Sequence, residues 1–395
     1  MSEPMKKVEH APESYAPKTK PEILSLAQQA AFATDTIADP FAGGEPPRTS
    51  NRILNYRRIH PWENYFLASA ICSVAVAVGA DEEELKTIGR EKVNGGFHIF
   101  SAFTGDMFTV LYDTDQPSDS GVTNYFFVPQ VVKKAYAAFG RDCVYLSNAQ
   151  IKKDFRAAIN AIKASVDKGI PVLAWGMGNV TLGDGRRYDP LPEACLIGGY
   201  DENDLLYVNL YLSPERVTAD DDGYTAIAHG LGTTQGLFFV GDPVPVPDPR
   251  EACRRVIESI PAFLAMPPAN GYVFGKAAFE KWADTLLEES RFAGKTDEEL
   301  GGICWDVHCS PYCCVCTSAA EIYMRAAAEV YGLELAQKLL PLYQKFTRLR
   351  QEIWSLHGDF FPPMEKFRTR AFRAQLAEIL RAMGGVCDEI LQAFL

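Results

Sequence analysis

Apolar residues in the first half of the chain recur with helical spacing. Three of these segments are followed by a glycine, which often ends a helix because it accepts the left-handed conformation of the residue beyond the last turn. The helix that begins at Trp62 is the most apolar and is expected to be buried. The pattern predicts four helices, at Trp62–Gly79, Asp81–Ile88, Val128–Phe139 and Phe155–Val166.

The pattern then changes to short apolar runs bounded by turn residues. Runs of this length are typical of buried β-strands. Asp201–Asp204 is a turn-forming segment between two of them, which favours antiparallel pairing of the strands on either side. The predicted strands are Ile170–Trp175, Ala194–Ile197, Leu205–Leu210 and Leu237–Val240. Helices followed by a mainly antiparallel sheet predict an α+β fold.

A proline-rich stretch, Pro243–Pro249, separates the strands from a second group of helical segments. These segments indicate an all-α domain of antiparallel helices. We therefore predict an N-terminal arm at residues 1–52, an α/β domain at residues 53–242 and a helical domain at residues 243–395. The helical segments are Arg250–Ala265, Lys276–Glu289, Tyr312–Val330, Leu333–Ser355 and Phe367–Leu395.

Composition narrows the functional classes. A chain of 395 residues suits two domains, and its formal net charge of -12 argues against binding to a phosphate backbone. It has no apolar run long enough to span a membrane and no apolar segment typical of a secretory signal near Met1. We therefore expect a cytoplasmic protein, in which the ten cysteines are thiols, with neither nucleic-acid nor membrane partners.

Short motifs in both halves suggest a family. The first half contains Gly169–Ala174 with the pattern G-x-P-V, then Glu193–Asp201 ending in G-Y-D, then Leu206–Asn209. The second half contains Phe274–Trp282, with the pattern G-x-x-A-F-x-x-W. Residues 53–390 thus resemble the papain-like cysteine peptidase superfamily. Within its bacteriocin-processing-peptidase-like branch, they resemble the domain family named after the butirosin-biosynthesis acyltransferase.

The resemblance implies a papain-like core, a buried helix on a mainly antiparallel sheet, with cysteine and histidine as the catalytic pair. It places the cysteine at the start of the buried helix, where Trp62–Tyr65 contains none, and Cys72 lies about ten residues further on. It places the histidine six residues before Gly199, where Glu193 stands. Asn209 alone matches the residue that orients the histidine. The catalytic pair is therefore expected to be lost.

Two interpretations of this region follow. In one, Cys72 is a packing residue and Glu193 a solvated residue at a strand end. In the other, carboxylates and amides of a remodelled cleft face one another, where they do acid–base chemistry or bind a cationic or polar ligand. His60, just before the buried helix, is the histidine best placed to act there. The candidate cleft residues are His60, Glu63, Asn64, Cys72, Glu193 and Asn209.

The segment from Cys304 to Cys316 holds five of the ten cysteines. Thiolates and imidazole at such spacing can ligate zinc or an iron–sulfur cluster, and C-x-x-C is also a redox motif. Alternatively, Ser310 caps a helix with Pro311 in its first turn, and the cysteines are a buried stripe. The candidate metal ligands are Cys304, His308, Cys309, Cys313 and Cys316.

Three functional hypotheses remain. The first is a papain-like protein that binds a small molecule or peptide in the former catalytic cleft, with no cofactor. The second is a cysteine-dependent acyltransferase or amide hydrolase, and the third a metal or redox protein that uses the cysteine-rich segment. The apolar helices after Pro311 also offer a face for a homodimer.

Overall fold

The structure is a computed structural model of the whole chain. The description covers backbone but no side chains in residues 7–8, 176–177, 180–181, 187–188, 191–193 and 225–227. The residues described are 7–8, 34–42, 44, 46–59, 63, 65–115, 117, 128–177, 180–181, 187–188, 191–202, 204–208, 225–227, 231, 234, 236–268, 271–315 and 318–395.

The helices fall in both halves of the chain. A single π-helical turn, Trp305–Cys309, separates two of them. The α-helices are α1 (Phe66–Ala77), α2 (Glu82–Leu85), α3 (Phe97–Thr104), α4 (Val128–Ala138), α5 (Asn148–Lys153), α6 (Phe155–Asp167), α7 (Pro249–Glu258), α8 (Ile260–Leu264), α9 (Gly275–Leu287), α10 (Glu289–Phe292), α11 (Asp297–Cys304), α12 (Ser310–Cys313), α13 (Ser318–Glu329), α14 (Glu334–His357), α15 (Met364–Phe367) and α16 (Arg370–Gln392).

Most strands lie between α4 and α7. They are β1 (Lys7–Val8), β2 (Ser50–Arg52), β3 (Thr87–Ile88), β4 (Glu91–Lys92), β5 (Leu111–Asp113), β6 (Arg141–Ser147), β7 (Val172–Met177), β8 (Val180–Thr181), β9 (Arg187–Tyr188), β10 (Leu191–Asp201), β11 (Asp204–Val208), β12 (Thr225–Ile227), β13 (Gly236–Pro243) and β14 (Tyr272–Phe274).

The chain forms two compact units. The sheet unit contains Met1–Leu85 and Tyr125–Pro247, and the helical unit contains Lys86–Asn124 and Asp248–Leu395. The sequence assigned residues 86–124 to the α/β domain, whereas here they group with the C-terminal helices. One reason is that β5 pairs with β14, far away in the chain. The C-terminal half is therefore not all-α as expected, because it contributes β14 to this two-stranded sheet.

The sheet unit is built around one mainly antiparallel sheet. Its described strands follow the order β1-β12-β11-β10-β7-β13-β6, with β2 added beside β10. The long strand β10 pairs with β7 through its first residues and with β2 through its last, while β11 returns antiparallel to it. Among the strand pairs described in this sheet, the short β1–β12 pair alone is parallel. The predicted mixed α+β fold with an antiparallel sheet is confirmed.

Helices cover the two central strands of this sheet. Both α1 and α6 pack against β7 and β10. Val172 and Ala174 belong to the core formed with α6, and Leu173 between them points to the opposite face. All three are fully buried, so the sheet is shielded from water on both faces. This explains why its strands have continuous rather than alternating apolar residues.

The helical unit is organised around two long helices. α16 runs along α9 and also contacts α14, which packs on α13. Buried Arg373 of α16 donates hydrogen bonds to the carbonyl oxygens of Leu286, Phe367 and Arg368 and pairs with Glu289. This arginine stabilises helix ends, because it satisfies carbonyls that have no partner inside their own helices.

Gly275, the glycine of the G-x-x-A-F-x-x-W motif, has a structural role at the start of α9. Its φ is +53°, and a Cβ there would lie 2.2 Å from the carbonyl oxygen of Leu264. A side chain at this position would therefore require the backbone to move. The tryptophan of the motif, Trp282, is buried in the core of the helical unit.

Most predicted helices and strands are present, with shifted ends. The helix from Asp81 to Ile88 was predicted too long, because α2 ends at Leu85 and β3 follows it. The helix from Tyr312 to Val330 is also wrong, since α12 ends at Cys313 and α13 begins at Ser318. Among the described residues, no helix is both long and apolar enough to cross a lipid bilayer.

Candidate functional site

The structure describes part of the predicted cleft. Glu63 lies just before α1 and Cys72 lies within it, both fully buried. Glu193 is the third residue of β10, but its side chain is outside the description. His60, Asn64 and Asn209 also lie outside the described residues.

Glu63 is held by an arginine that the sequence analysis did not single out. The guanidinium of Arg57 donates to both carboxylate oxygens of Glu63, at 2.7 Å to Oε1 and 3.2 Å to Oε2. The Arg57 side chain is 4% exposed and that of Glu63 is 0% exposed. Paired hydrogen bonds of this kind are the strongest that a carboxylate forms with a side chain. The Glu63 carboxylate is therefore a structural charge, already engaged at both oxygens.

Arg57 reaches further along α1. Its Nε donates to Glu82 at 3.0 Å, and its Nη1 lies 3.5 Å from the Ser73 hydroxyl. Burial lowers the pKa of Arg57, but the nearby Cys72 thiol and then Glu63 and Glu82 outweigh this and raise it above its ordinary value. We call these five residues, Arg57, Glu63, Cys72, Ser73 and Glu82, the arginine cluster.

Cys72 lies well inside α1, which begins at Phe66. A catalytic thiol of the papain type sits at a helix start, where free backbone N–H groups and the helix dipole stabilise its thiolate. At Cys72 those N–H groups already bond within the helix, and the side chain is 0% exposed. Cys72 does interact electrostatically with Arg57.

The other half of the predicted cleft belongs to the sheet. Leu196 of β10 lies opposite Val208, the last residue of β11, and the two strands are antiparallel. The first residues of β10, which include Glu193, therefore lie at the same end of the sheet as the end of β11.

The cysteine-rich segment forms one helical run rather than a helix capped by Ser310. α11, the π-helical turn and α12 are continuous, and Ser310 has helical backbone angles of φ −61° and ψ −53°. The proposed cap at Ser310 is therefore wrong, since the residues before it are already helical. The π turn brings Sγ of Cys304 within 3.7 Å of Sγ of Cys309.

His308, on the same π turn, points away into a second polar contact. Its Nε2 lies 2.8 Å from Nε2 of His357 at the end of α14, and both residues are buried. His357 Nδ1 is 3.2 Å from the carbonyl oxygen of Phe360, which can only accept a hydrogen bond. Neutral His357 is thus protonated at Nδ1, and His308 donates through Nε2. Nδ1 of His308 then carries a lone pair, to which no described residue donates a hydrogen bond.

Burial keeps this histidine pair uncharged. It lowers the pKa of His357 to about 4, and burial together with His357 lowers the pKa of His308 well below its ordinary value. Trp282, Tyr312 and Phe367 surround His308 with aromatic rings. The pair is therefore a neutral hydrogen bond inside an apolar core.

The predicted metal ligands do not come together as one site among the described residues. There, no three His, Cys, Asp or Glu side chains are grouped so that they could hold a metal ion. Cys313 donates a hydrogen bond from Sγ to the backbone carbonyl of Cys309. Cys316 lies outside the described residues.

Arg57 and His357 are the two residues that sequence reasoning missed. Arg57 is six residues before its partner, outside the helix that contains Cys72. His357 ends a long helix before Gly358 and gives no local sign of contact with His308. The signal that could have pointed to Arg57 was Glu63 itself, an acidic residue just before an otherwise apolar helix. A carboxylate buried there needs a cationic partner.

Comparison with protein-family models and with curated proteins finds no match for this chain.

Proposed function

We propose that this chain is a papain-like protein without peptidase activity, which binds a small molecule or a peptide in the former catalytic cleft. The observation that supports this most directly is the state of two of the candidate cleft residues. Cys72 is buried inside α1, and Glu63 is paired with Arg57 through both oxygens. Neither group is available for nucleophilic attack or proton transfer.

Two further features are consistent with the papain-like assignment. A buried helix, α1, packs on the central strands of an antiparallel sheet, and Glu193 is the third residue of the strand that ends in G-Y-D. A carboxylate in place of the catalytic histidine favours a cationic group on the ligand, in a chain whose net charge is -12. We therefore take amine-bearing peptides as the first ligand class to test.

The binding test is a thermal melt of the full chain with lysine-containing tripeptides, with their acetylated forms as controls. A ligand that binds only the folded state raises Tm in a concentration-dependent manner. We expect this increase for the amine forms, and we expect Glu193→Gln to abolish it without changing the Tm of the free protein. Equal melts with and without every peptide, at millimolar concentration, would contradict the proposed ligand class.

The second candidate function is thiol-dependent acyl transfer or amide hydrolysis. The observation in its favour is the electrostatic interaction of Cys72 with Arg57, because a neighbouring cation favours the thiolate. The test is hydrolysis of p-nitrophenyl acetate by the wild-type protein and by Cys72→Ala. Turnover that the substitution removes, with an unchanged unfolding midpoint, would establish the enzyme and overturn the non-catalytic proposal. We expect equal background rates for the two proteins.

A further inference from the structure

The π turn of the helical unit explains why the sulfur atoms of Cys304 and Cys309, five residues apart, are in contact. Residues five apart in an α-helix are separated by about 7.5 Å along the axis, beyond the roughly 7 Å between Cα atoms that a disulfide can span. In a π turn the backbone hydrogen bonds join residues five apart, so these residues lie one turn above each other. Cys304 and Cys309 have this spacing, and their sulfur atoms are 3.7 Å apart.

The surroundings of this thiol pair favour an uncharged product. Both cysteines are 0% exposed and belong to the apolar core of the helical unit. The contact with Cys304 and burial both raise the pKa of Cys309 far above its ordinary value. A metal ion would need ligands beyond these two thiolates, and the described residues supply no group of three His, Cys, Asp or Glu that could hold one. A disulfide carries no charge and needs only the two sulfur atoms.

We propose that Cys304 and Cys309 are a dithiol–disulfide pair that hydrogen peroxide oxidises and a small dithiol reduces again. One thiol attacks a peroxide oxygen, which releases water and leaves a sulfenic acid. The second thiol displaces a further water as the sulfur–sulfur bond forms. Overall, two thiols and one peroxide give one disulfide and two waters, and the peroxide oxygens take up the two electrons that the sulfurs lose.

The same burial predicts slow oxidation. The thiolate is the reactive form, and a buried thiol with a raised pKa forms little of it. Peroxide, which is close to water in size, reaches the pair when the π turn opens transiently. The pair thus responds to sustained oxidation and differs in this from a fast peroxide sensor. This modification site lies in the helical unit and does not depend on the function proposed for the sheet unit.

The full-length chain allows a direct test. The reduced protein is treated with hydrogen peroxide, its remaining thiols are blocked with N-ethylmaleimide in denaturant, and it is cleaved before aspartate and after aromatic residues. Asp297–Trp305 contains only Cys304, and Asp306–Tyr312 contains only Cys309. We expect these two peptides to be joined, with a mass two hydrogens below their sum, and to be separated again by dithiothreitol.

Variants and internal controls sharpen the result. Cys309→Ser should abolish the joined peptide, and Cys313→Ser, one turn further on, should leave it intact. Cys253 and Cys387, which are buried elsewhere in the same core, should keep their thiols throughout.

The proposal is overturned if Cys304 and Cys309 stay reduced while Cys313 is oxidised, or if Cys304 joins another cysteine. Stoichiometric zinc that is lost in a Cys304→Ser variant would also overturn it, since the pair would then be a metal site. The digest of the wild-type protein tests whether Cys304 and Cys309 are joined, even if a variant fails to fold.

Discussion

The arginine cluster of the sheet unit and the histidine pair of the helical unit both hide ionisable groups from water, but by different means. Arg57 and Glu63 form an ion pair joined by two hydrogen bonds. His308 and His357 have no such counter-charge, and burial keeps them neutral instead. Removing Glu63 leaves the buried Arg57 charge with only the partly exposed Glu82 carboxylate, whereas removing one histidine leaves a buried polar atom of the other without its partner.

The difference bears on function. A papain-like site needs a histidine beside its thiol, and in this chain the buried, hydrogen-bonded histidine pair belongs to the helical unit. Near Cys72, Arg57 donates hydrogen bonds to Glu63, Glu82 and Ser73. The described part of this region is therefore organised around a buried arginine–carboxylate ion pair.

The largest effect is expected from Glu63→Gln, which leaves the Arg57 charge buried beside a neutral amide. Breaking a buried ion pair in this way costs about 3–5 kcal/mol. Urea unfolding at pH 7 measures the loss. Glu82→Gln is the control, because Glu82 is 35% exposed on its side chain, and loss of such a partner costs about 1 kcal/mol or less. Equal losses in the free energy of unfolding for both variants would show that the Arg57–Glu63 pair is no stronger than the Arg57–Glu82 pair.

The histidine pair predicts a loss of stability in acid. Below its ordinary pKa of 6.5 an unfolded histidine binds a proton, whereas folded His357 resists protonation until about pH 4. The unfolded state therefore binds more protons between pH 6.5 and 4, so stability falls as the pH is lowered through this window, by an amount on the order of 2 kcal/mol. Urea unfolding at pH 7 and pH 4.5 measures the change.

The matched variant for this experiment replaces both residues, His308→Gln with His357→Gln. Two amides can keep a hydrogen bond but do not titrate in this range. We expect the double variant to lose less stability between pH 7 and pH 4.5 than the wild type, although His98, with a pKa of about 4, still contributes in both. Parallel pH curves for the two proteins would mean that the pair does not carry the effect.

Cys72→Ala should have a small effect on stability and none on chemistry. It removes one buried sulfur from α1 and leaves a small cavity, with a cost on the order of 1 kcal/mol. The measurement is again urea unfolding, with Cys195→Ala in the core of the same unit as control, since that residue is equally buried. A loss above that of the control would indicate that the Cys72 thiol contributes to holding Arg57.

The final prediction concerns reactivity alone. At pH 7 we expect iodoacetamide to label Cys313, which is partly exposed, before Cys72, which is 0% exposed. The Cys72 rate should rise more than about tenfold in urea, because access limits it in the folded protein. Peptide mass spectrometry gives both rates. Faster labelling of Cys72 than of Cys313 in the folded state would favour the thiol-dependent enzyme over the binding protein.

Local signals were the most dependable part of the sequence. The apolar periodicity predicted α1, α4, α6, α14 and α16, and Gly79, Gly140 and Gly169 have the positive φ expected beyond a helix end. The continuous apolar runs likewise predicted β7, β10, β11 and β13. In these segments the periodicity or the length of the apolar run is a local property of the chain, so the prediction needed no knowledge of distant partners.

Other features depend on residues far apart in the chain. β6 was missed because its partner is β13, about a hundred residues later. The pairing of β5 with β14 moved residues 86–124 into the helical unit. Serine is a common helix cap, but the residues before Ser310 are already helical because the π turn continues the preceding helix. Ser310 therefore lies inside a continuous helical run and does not cap its start.

The sequence by itself determined the mixed α+β fold and the position of its longest helices and central strands, because each follows from local pattern. The tertiary structure decided the state of the individual side chains: Glu63 paired with Arg57, His308 bonded to His357, and Cys304 in contact with Cys309. The physical reason is that burial and partners set the charge and reactivity of a side chain, and folding alone assigns both.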